Sequence, residues 1–107
     1  MEIENQLKAL NNSTRLKILE WLKDPEDHFP PHESGLSFDD GVCVAYIQVK
    51  AGISQSTTSQ YMSFLHQAGF VIPTRIGKWT YYKRDEETIT QFMQKLDVIL
   101  TRKGEYE

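Results

Sequence analysis

Apolar residues near the start of the chain recur at helical spacing: Ile3, Leu7 and Leu10 lie at +4 and +3. The run Asn11-Asn12-Ser13-Thr14 interrupts them and supplies N-cap candidates. Leu16, Ile18, Leu19, Trp21 and Leu22 then place apolar side chains on more than one face, predicting a largely buried helix over about 14–23 that Pro25 stops. Val42 to Ala51 is apolar-rich and ends at Gly52, predicting a short helix, although Val42-Cys43-Val44 alone has strand composition. Ser54 is placed to cap a helix over 55–68, closed by Gly69. One face of that helix carries Tyr61, Phe64, Leu65 and Ala68, with Thr57 and Thr58 near its edges. The opposite face carries Gln55, Ser56, Ser59, Gln60, Ser63, His66 and Gln67, which are polar, uncharged and mostly small. Phe70-Val71-Ile72 and Trp79-Thr80-Tyr81-Tyr82 are β-prone and flank the turn Ile76-Gly77-Lys78, predicting a hairpin over 70–83. Asp85 caps a last helix over 86–102, with the stripe Ile89, Phe92, Met93, Leu96, Ile99 and Leu100.

Residues 24–41 break this regularity. Three of the four prolines (Pro25, Pro30, Pro31) fall here with Gly35, Gly41, His28 and His32, which predicts a long inserted loop. The remaining order is helix, helix, helix, helix, hairpin, helix. Two short helices joined across Gly52-Ile53 form a helix-turn-helix, and a following hairpin with a basic, glycine-containing tip makes it a winged helix. The expected fold is mainly α with a small β-hairpin, one domain spanning 1–107.

Charge sharpens this picture. The chain has 12 Lys and Arg against 15 Asp and Glu, a net charge of −3, which taken whole opposes nucleic acid. Yet residues 41–84 hold Lys50, Arg75, Lys78, Lys83 and Arg84 and no carboxylate. Such a segment is suited to approaching a polyanion. A lone cysteine, Cys43, excludes an intrachain disulfide and fits a reducing cytoplasm. No apolar run reaches the roughly 20 residues of a membrane span, and the start Met1-Glu2-Ile3-Glu4 lacks signal-peptide order. An enzyme is not expected: there is no Gly-rich phosphate loop, no HExxH, and no His or acid spaced to activate Cys43.

Several segments now read together. Leu7-Lys8-Ala9-Leu10, Thr14 to Leu19, Ser54 to Gln60, Ala68-Gly69-Phe70-Val71 and Arg75 to Tyr82 occur in an order that resembles the ArsR/SmtB family of bacterial repressors, over about residues 5–100 apart from the loop. The resemblance implies a homodimeric winged-helix transcriptional regulator that binds an imperfect inverted repeat and leaves it when an effector, often a metal ion, binds. The chain departs from the family pattern at its metal sites. Cys43 matches the first cysteine of the family's Cys-Val-Cys-Asp-Leu, but Ala45 replaces the second and Tyr46 the acid. The other common site uses Asp and His on the last helix, and residues 85–102 contain no His. Ser13 stands where the family often has Pro.

The candidate sites follow. Base and phosphate contacts are expected from Ser54, Gln55, Ser56, Thr57, Ser59, Gln60 and Ser63, with Arg75 and Lys78 on the wing. Gln55, Ser56, Ser59 and Gln60 fall at family contact positions by resemblance. Trp79, Tyr81 and Tyr82 are expected to form hairpin core and cross-strand pairs. A dimer interface is expected from Ile3, Leu7, Leu10, Phe92, Met93, Leu96, Ile99 and Leu100, because these exceed what one small core absorbs. Cys43, His28 and His32 are the candidate effector site. No metal or cofactor is assigned; the alternative is a metal- or thiol-responsive sensor with a non-standard site around Cys43, zinc or another metal on those three residues being opposed by Pro30 and Pro31 between the histidines. On the simpler reading the two histidines are solvent-exposed loop residues and Cys43 is a buried thiol. A second alternative is a winged helix used for protein contact, against which the carboxylate-free segment counts.

Overall fold

A computed structural model describes residues 2–102; residues 1 and 103–107, the ends of the expected domain, lie outside the described residues. Helices α1 (Ile3–Leu10) and α2 (Ser13–Lys23) are separated by Asn11 and Asn12, and the Asn12 side-chain oxygen accepts the Arg15 N–H at 3.0 Å and caps α2. Arg15 in turn closes α1: its Nε and Nη2 donate to the carbonyls of Ala9 (2.7 Å) and Lys8 (3.1 Å). The segment expected as loop contains a one-turn helix, α3 (Pro25–His28), and a 3-10 turn at Phe38–Asp40. Pro25 stops α2 and starts α3, because its fixed φ and missing N–H are acceptable at a helix's first position.

Val42–Cys43 forms a strand, β1, and α4 runs Val44–Ala51, which corrects the helix expected from residue 42. The cause lies across the sheet. Strands β2 (Val71–Ile76) and β3 (Trp79–Arg84) form the hairpin, and β1 adds to the other side of β3, giving an antiparallel order β1-β3-β2. Val42 pairs with Tyr82 and Cys43 with Tyr81. Gly41 delivers the chain to this edge at φ +110° and ψ −171°, a region open only to glycine. A Cβ there would lie 2.5 Å from the backbone of Tyr82. The third strand therefore depends on a contact between residues far apart in sequence.

The core sits between the helices and one face of this sheet. Ile18, Ile47, Met62 and Leu65 are 0% exposed, and Val42, Phe70 and Val71 join them. Phe70 meets Phe92 of α6 (Glu86–Leu100) edge-on, with ring centroids 5.2 Å apart. Arg84 fastens the end of β3: it donates to both Glu86 carboxylate oxygens, at 2.8 and 3.0 Å, and to the Leu19 carbonyl at 3.2 Å.

The other face of the sheet is covered by the inserted segment, which corrects the expectation that its histidines are exposed. His32 is 6% exposed, with Phe38, Tyr46 and Tyr81 rings around it at 4.9, 4.9 and 5.2 Å. Its Nε2 accepts the Cys43 N–H at 3.1 Å, so the ring proton belongs on Nδ1, which lies 3.1 Å from the Leu36 carbonyl oxygen and donates to it. Tyr46 on α4 holds the same segment through its Oη, which accepts the Glu33 N–H at 3.0 Å. Phe29 is buried against Trp21, edge to face. Cys43 is buried, as expected.

Two substitutions test this arrangement. Gly41→Ala should lose about 2–4 kcal/mol in urea unfolding, because it strains the backbone and collides with β3. His32→Ala should lose a similar amount, since the Cys43 N–H is left buried without an acceptor and the aromatic cluster gains a void. Loss of under about 0.5 kcal/mol in either would show that β1 does not depend on these contacts.

A candidate nucleic-acid interface

Helix α5 (Gln55–Gln67) follows α4 after the Gly52-Ile53-Ser54 turn, with Gly52 in the left-handed conformation. Ser54 caps it: its Oγ accepts the Thr57 N–H at 3.1 Å and donates to the Thr57 hydroxyl at 2.9 Å. Thr58 is buried and donates to the Ser54 carbonyl at 2.8 Å. The buried line of the helix is Thr58, Met62, Leu65 and Ala68. Met62 was not on the expected apolar face, and Phe64, which was, is exposed beneath the Arg15 guanidinium at 5.0 Å. Tyr61 is half-buried, with the same guanidinium 5.1 Å from its ring centroid.

Opposite that line, Gln55, Ser56, Ser59, Gln60 and Ser63 are all exposed. The sequence places no charged side chain among them, and hydroxyls and amides are the groups that read base edges in a major groove. Two of the expected contacts are partly committed to the fold. Ser54 spends its hydroxyl on the cap, and Thr57 is half-buried with its hydroxyl bonded to Ser54.

On the wing, Ile76 pairs with Trp79 across the two-residue turn Gly77-Lys78. Lys78 and Arg75 are exposed, and Arg75 Nε donates to the Gly77 carbonyl at 3.1 Å, which holds its guanidinium at the tip. Trp79 corrects an expectation: it is 51% exposed and is not hairpin core, whereas Tyr81 on the same face is buried under His32. Trp79 begins β3 beside the turn, at the edge of a cleft it shares with His32, Glu33 and Ser34 of the inserted segment. Arg84 leaves the cationic set, since Glu86 neutralises it; Lys50, Arg75, Lys78 and Lys83 remain exposed.

The expected dimer stripe divides. Phe92 is 3% exposed and fills the protomer's own core, which removes it from that set. Ile3, Leu10 and Leu96 are half-buried against the core. Leu7, Met93, Ile99 and Leu100 stand in solvent, joined by Val98, which was not among the expected residues. The effector residues are not gathered as a ligand set. His32 and Cys43 meet through a backbone N–H, while His28 lies beside Phe29 and Lys50 at another cleft. Among the described residues, no three of His, Cys, Asp and Glu come together to hold a metal ion.

The chain is 53% identical over 90 residues to the uncharacterized HTH-type transcriptional regulator YbzH of Bacillus subtilis, covering 83% of this chain and 89% of that one. It is 35% identical over 82 residues to the "Putative arsenical resistance operon repressor ArsR2" of Halobacterium salinarum, covering 77% of this chain and 58% of that protein. Among solved structures it is similar to the homodimeric winged helix-turn-helix DNA-binding domain of a possible ArsR-family regulator from Mycobacterium bovis. That likeness has a TM-score of 0.62 and 26% identity, over 91% of this chain and 77% of the other. The chain belongs to the ArsR/SmtB family. It is thus a winged-helix, DNA-binding transcriptional regulator. No protein-family model matches it. As an ArsR/SmtB member it keeps the helix-turn-helix and the hairpin while its sequence departs at both common metal sites.

Two measurements separate reading from positioning. Gln60→Ala should cost about 1–3 kcal/mol on the preferred operator and much less where one A·T pair is changed, with the salt dependence unaltered. Equal losses on both duplexes would make Gln60 a positioning residue. Lys78→Ala should weaken all duplexes about equally and lower the log–log salt slope by about one for each lost phosphate contact.

Proposed function

We infer that this ArsR/SmtB member is a cytoplasmic, homodimeric repressor, and that residues 1–107 act as one DNA-binding unit on an inverted-repeat operator. The observation that carries this reading is the exposed, uncharged polar face of α5, on a helix anchored by the buried line Thr58, Met62, Leu65 and Ala68. Repression follows from occupancy: a protein seated on promoter DNA excludes other proteins from it. An effector that alters the relative pose of the two recognition helices releases it.

The dimer is supported by α1 and α6. Val98, Ile99 and Leu100 stand in solvent at the end of α6, and Ile3 of α1 lines a cleft with Val98 and Ile99. A cluster of this kind on so small a protein marks an interface. A two-fold axis through it would present two recognition helices to a palindrome. No helix among the described residues is long and apolar enough to cross a membrane.

Titrating salt against binding to duplex DNA from the protein's own promoter tests the regulatory reading. A steep log–log slope with a preference over random duplex is expected; a shallow slope and no preference would favour a protein-contact role. For the dimer, Ile99→Glu is the sharper variant, because Ile99 is 63% exposed whereas Leu96 is half-buried in the protomer. It should shift the solution mass to monomer with far-UV helicity retained. A wild type already monomeric at micromolar concentration would remove the interface.

A further inference from the structure

We propose that the cleft between the inserted segment and α4 is the effector site, and that it takes a small aromatic carboxylate. This deepens the reading above, since it rests on an effector releasing the protein from DNA. Phe29 and Pro30 of the insertion face Tyr46 and Val49 of α4 across a cleft of about 460 Å³. That lies within the roughly 300–1,000 Å³ of small-molecule sites. Val49 is 81% exposed, an apolar side chain standing in solvent on a helix of the helix-turn-helix. Two aromatic rings and a proline make walls suited to a flat ring.

The charged groups at the cleft select the sign. Lys50 is exposed, its ammonium 5.2 Å from the Trp21 ring centroid, and it forms no ion pair among the described residues. His28 adds a second donor-bearing side chain. Glu33 is the one carboxylate, on an exposed residue whose backbone N–H is held by Tyr46. Two groups able to donate against one acceptor, with the cation carried on a regular helix, favour an anion.

The position also supplies the coupling. Lys50 lies near the end of α4, the helix leading into the α5 turn, and is one of the exposed cations of the carboxylate-free segment. A ligand carboxylate on its ammonium withdraws that charge from phosphate. Ligand and DNA therefore oppose one another, each weakening the other by the same factor.

The test uses benzoate on the full chain, followed by ¹⁵N–¹H NMR, with chloride matched for ionic strength. Saturable shifts are expected at Tyr46, Val49 and Lys50. Benzamide and hexanoate should each bind at least tenfold more weakly, and Lys50→Gln should weaken benzoate at least tenfold in a chain whose amide spectrum shows it folded. Glu33→Gln should leave benzoate unchanged or tighter. Absence of saturation by about 10 mM, the weakest affinity expected for roughly nine non-hydrogen atoms, overturns the site. Equal binding of benzamide overturns the charge, equal binding of hexanoate overturns the aromatic ring, and weakening by Glu33→Gln overturns the anion in favour of an ammonium-bearing ligand. On promoter duplex, saturating benzoate should weaken wild-type binding at least threefold and leave Lys50→Gln unaffected; no change in the wild type overturns the effector role. If duplex binding itself is missing, the regulatory reading fails while the NMR result stands. If duplex binds and benzoate does not, the cleft alone fails.

Discussion

A helix that reads DNA must keep one side free, so everything that fixes its pose has to act from the other side. Here that side is the line Thr58, Met62, Leu65 and Ala68, buried among α1, α2, α4 and β2. Burying Met62 and Leu65 contributes about 1.5–3 kcal/mol each, more than the exposed hydroxyls and amides opposite contribute to folding. The polar face is thus released from structural duty. Its small uncharged groups can be chosen for what they meet in a groove. Ser54 ties the start of the helix to its first turn and so fixes its N-terminal end.

Strand β3 ties the two sides of the sheet together. One of its faces contributes Tyr82 to the main core, and the other contributes Tyr81 to the cluster around His32. Its end is tied through Arg84 to α2 and to Glu86 of α6. The inserted segment therefore does not hang from the domain. It closes the outer face of the sheet and meets α4 through Tyr46 and through the His32 bond to the Cys43 N–H at the start of that helix, so that a disturbance in the insertion reaches the helix-turn-helix.

The distribution of charge matters more than its sum. A chain with net charge −3 is poorly suited to DNA as a uniform object. Its carboxylates are confined to the N-terminal 40 residues and to Asp85 onward, and among the described residues the one cation of the middle segment in an ion pair, Arg84, is held there structurally. What is left exposed is a short set of cations on α4 and the wing. A set of this kind, with no carboxylate beside it in the sequence, is suited to approaching a polyanion.

How much of this was legible in the residues themselves depends on the range of the interaction. Helices α2, α5 and α6, their caps at Asn12, Ser54 and Asp85, and the Gly77-Lys78 turn were readable because periodicity, capping and turn chemistry act over four residues or fewer. The exposed polar face of α5 was readable for the same reason. Strand β1 was not, since Val42-Cys43 becomes a strand only because Gly41 lets it approach Tyr82, some 40 positions away. His32 was misjudged because its burial comes from Phe38, Tyr46 and Tyr81, which three separate segments bring together. Phe92 and Ile99 belong to one apolar stripe, and only packing against Phe70 decides that the first faces inward while the second stays in solvent. Local order was written in local chemistry; the inside and outside of each apolar stripe, and the covering of the sheet by the insertion, had to wait for the chain to fold back on itself, because burial is a property of the neighbours a residue acquires.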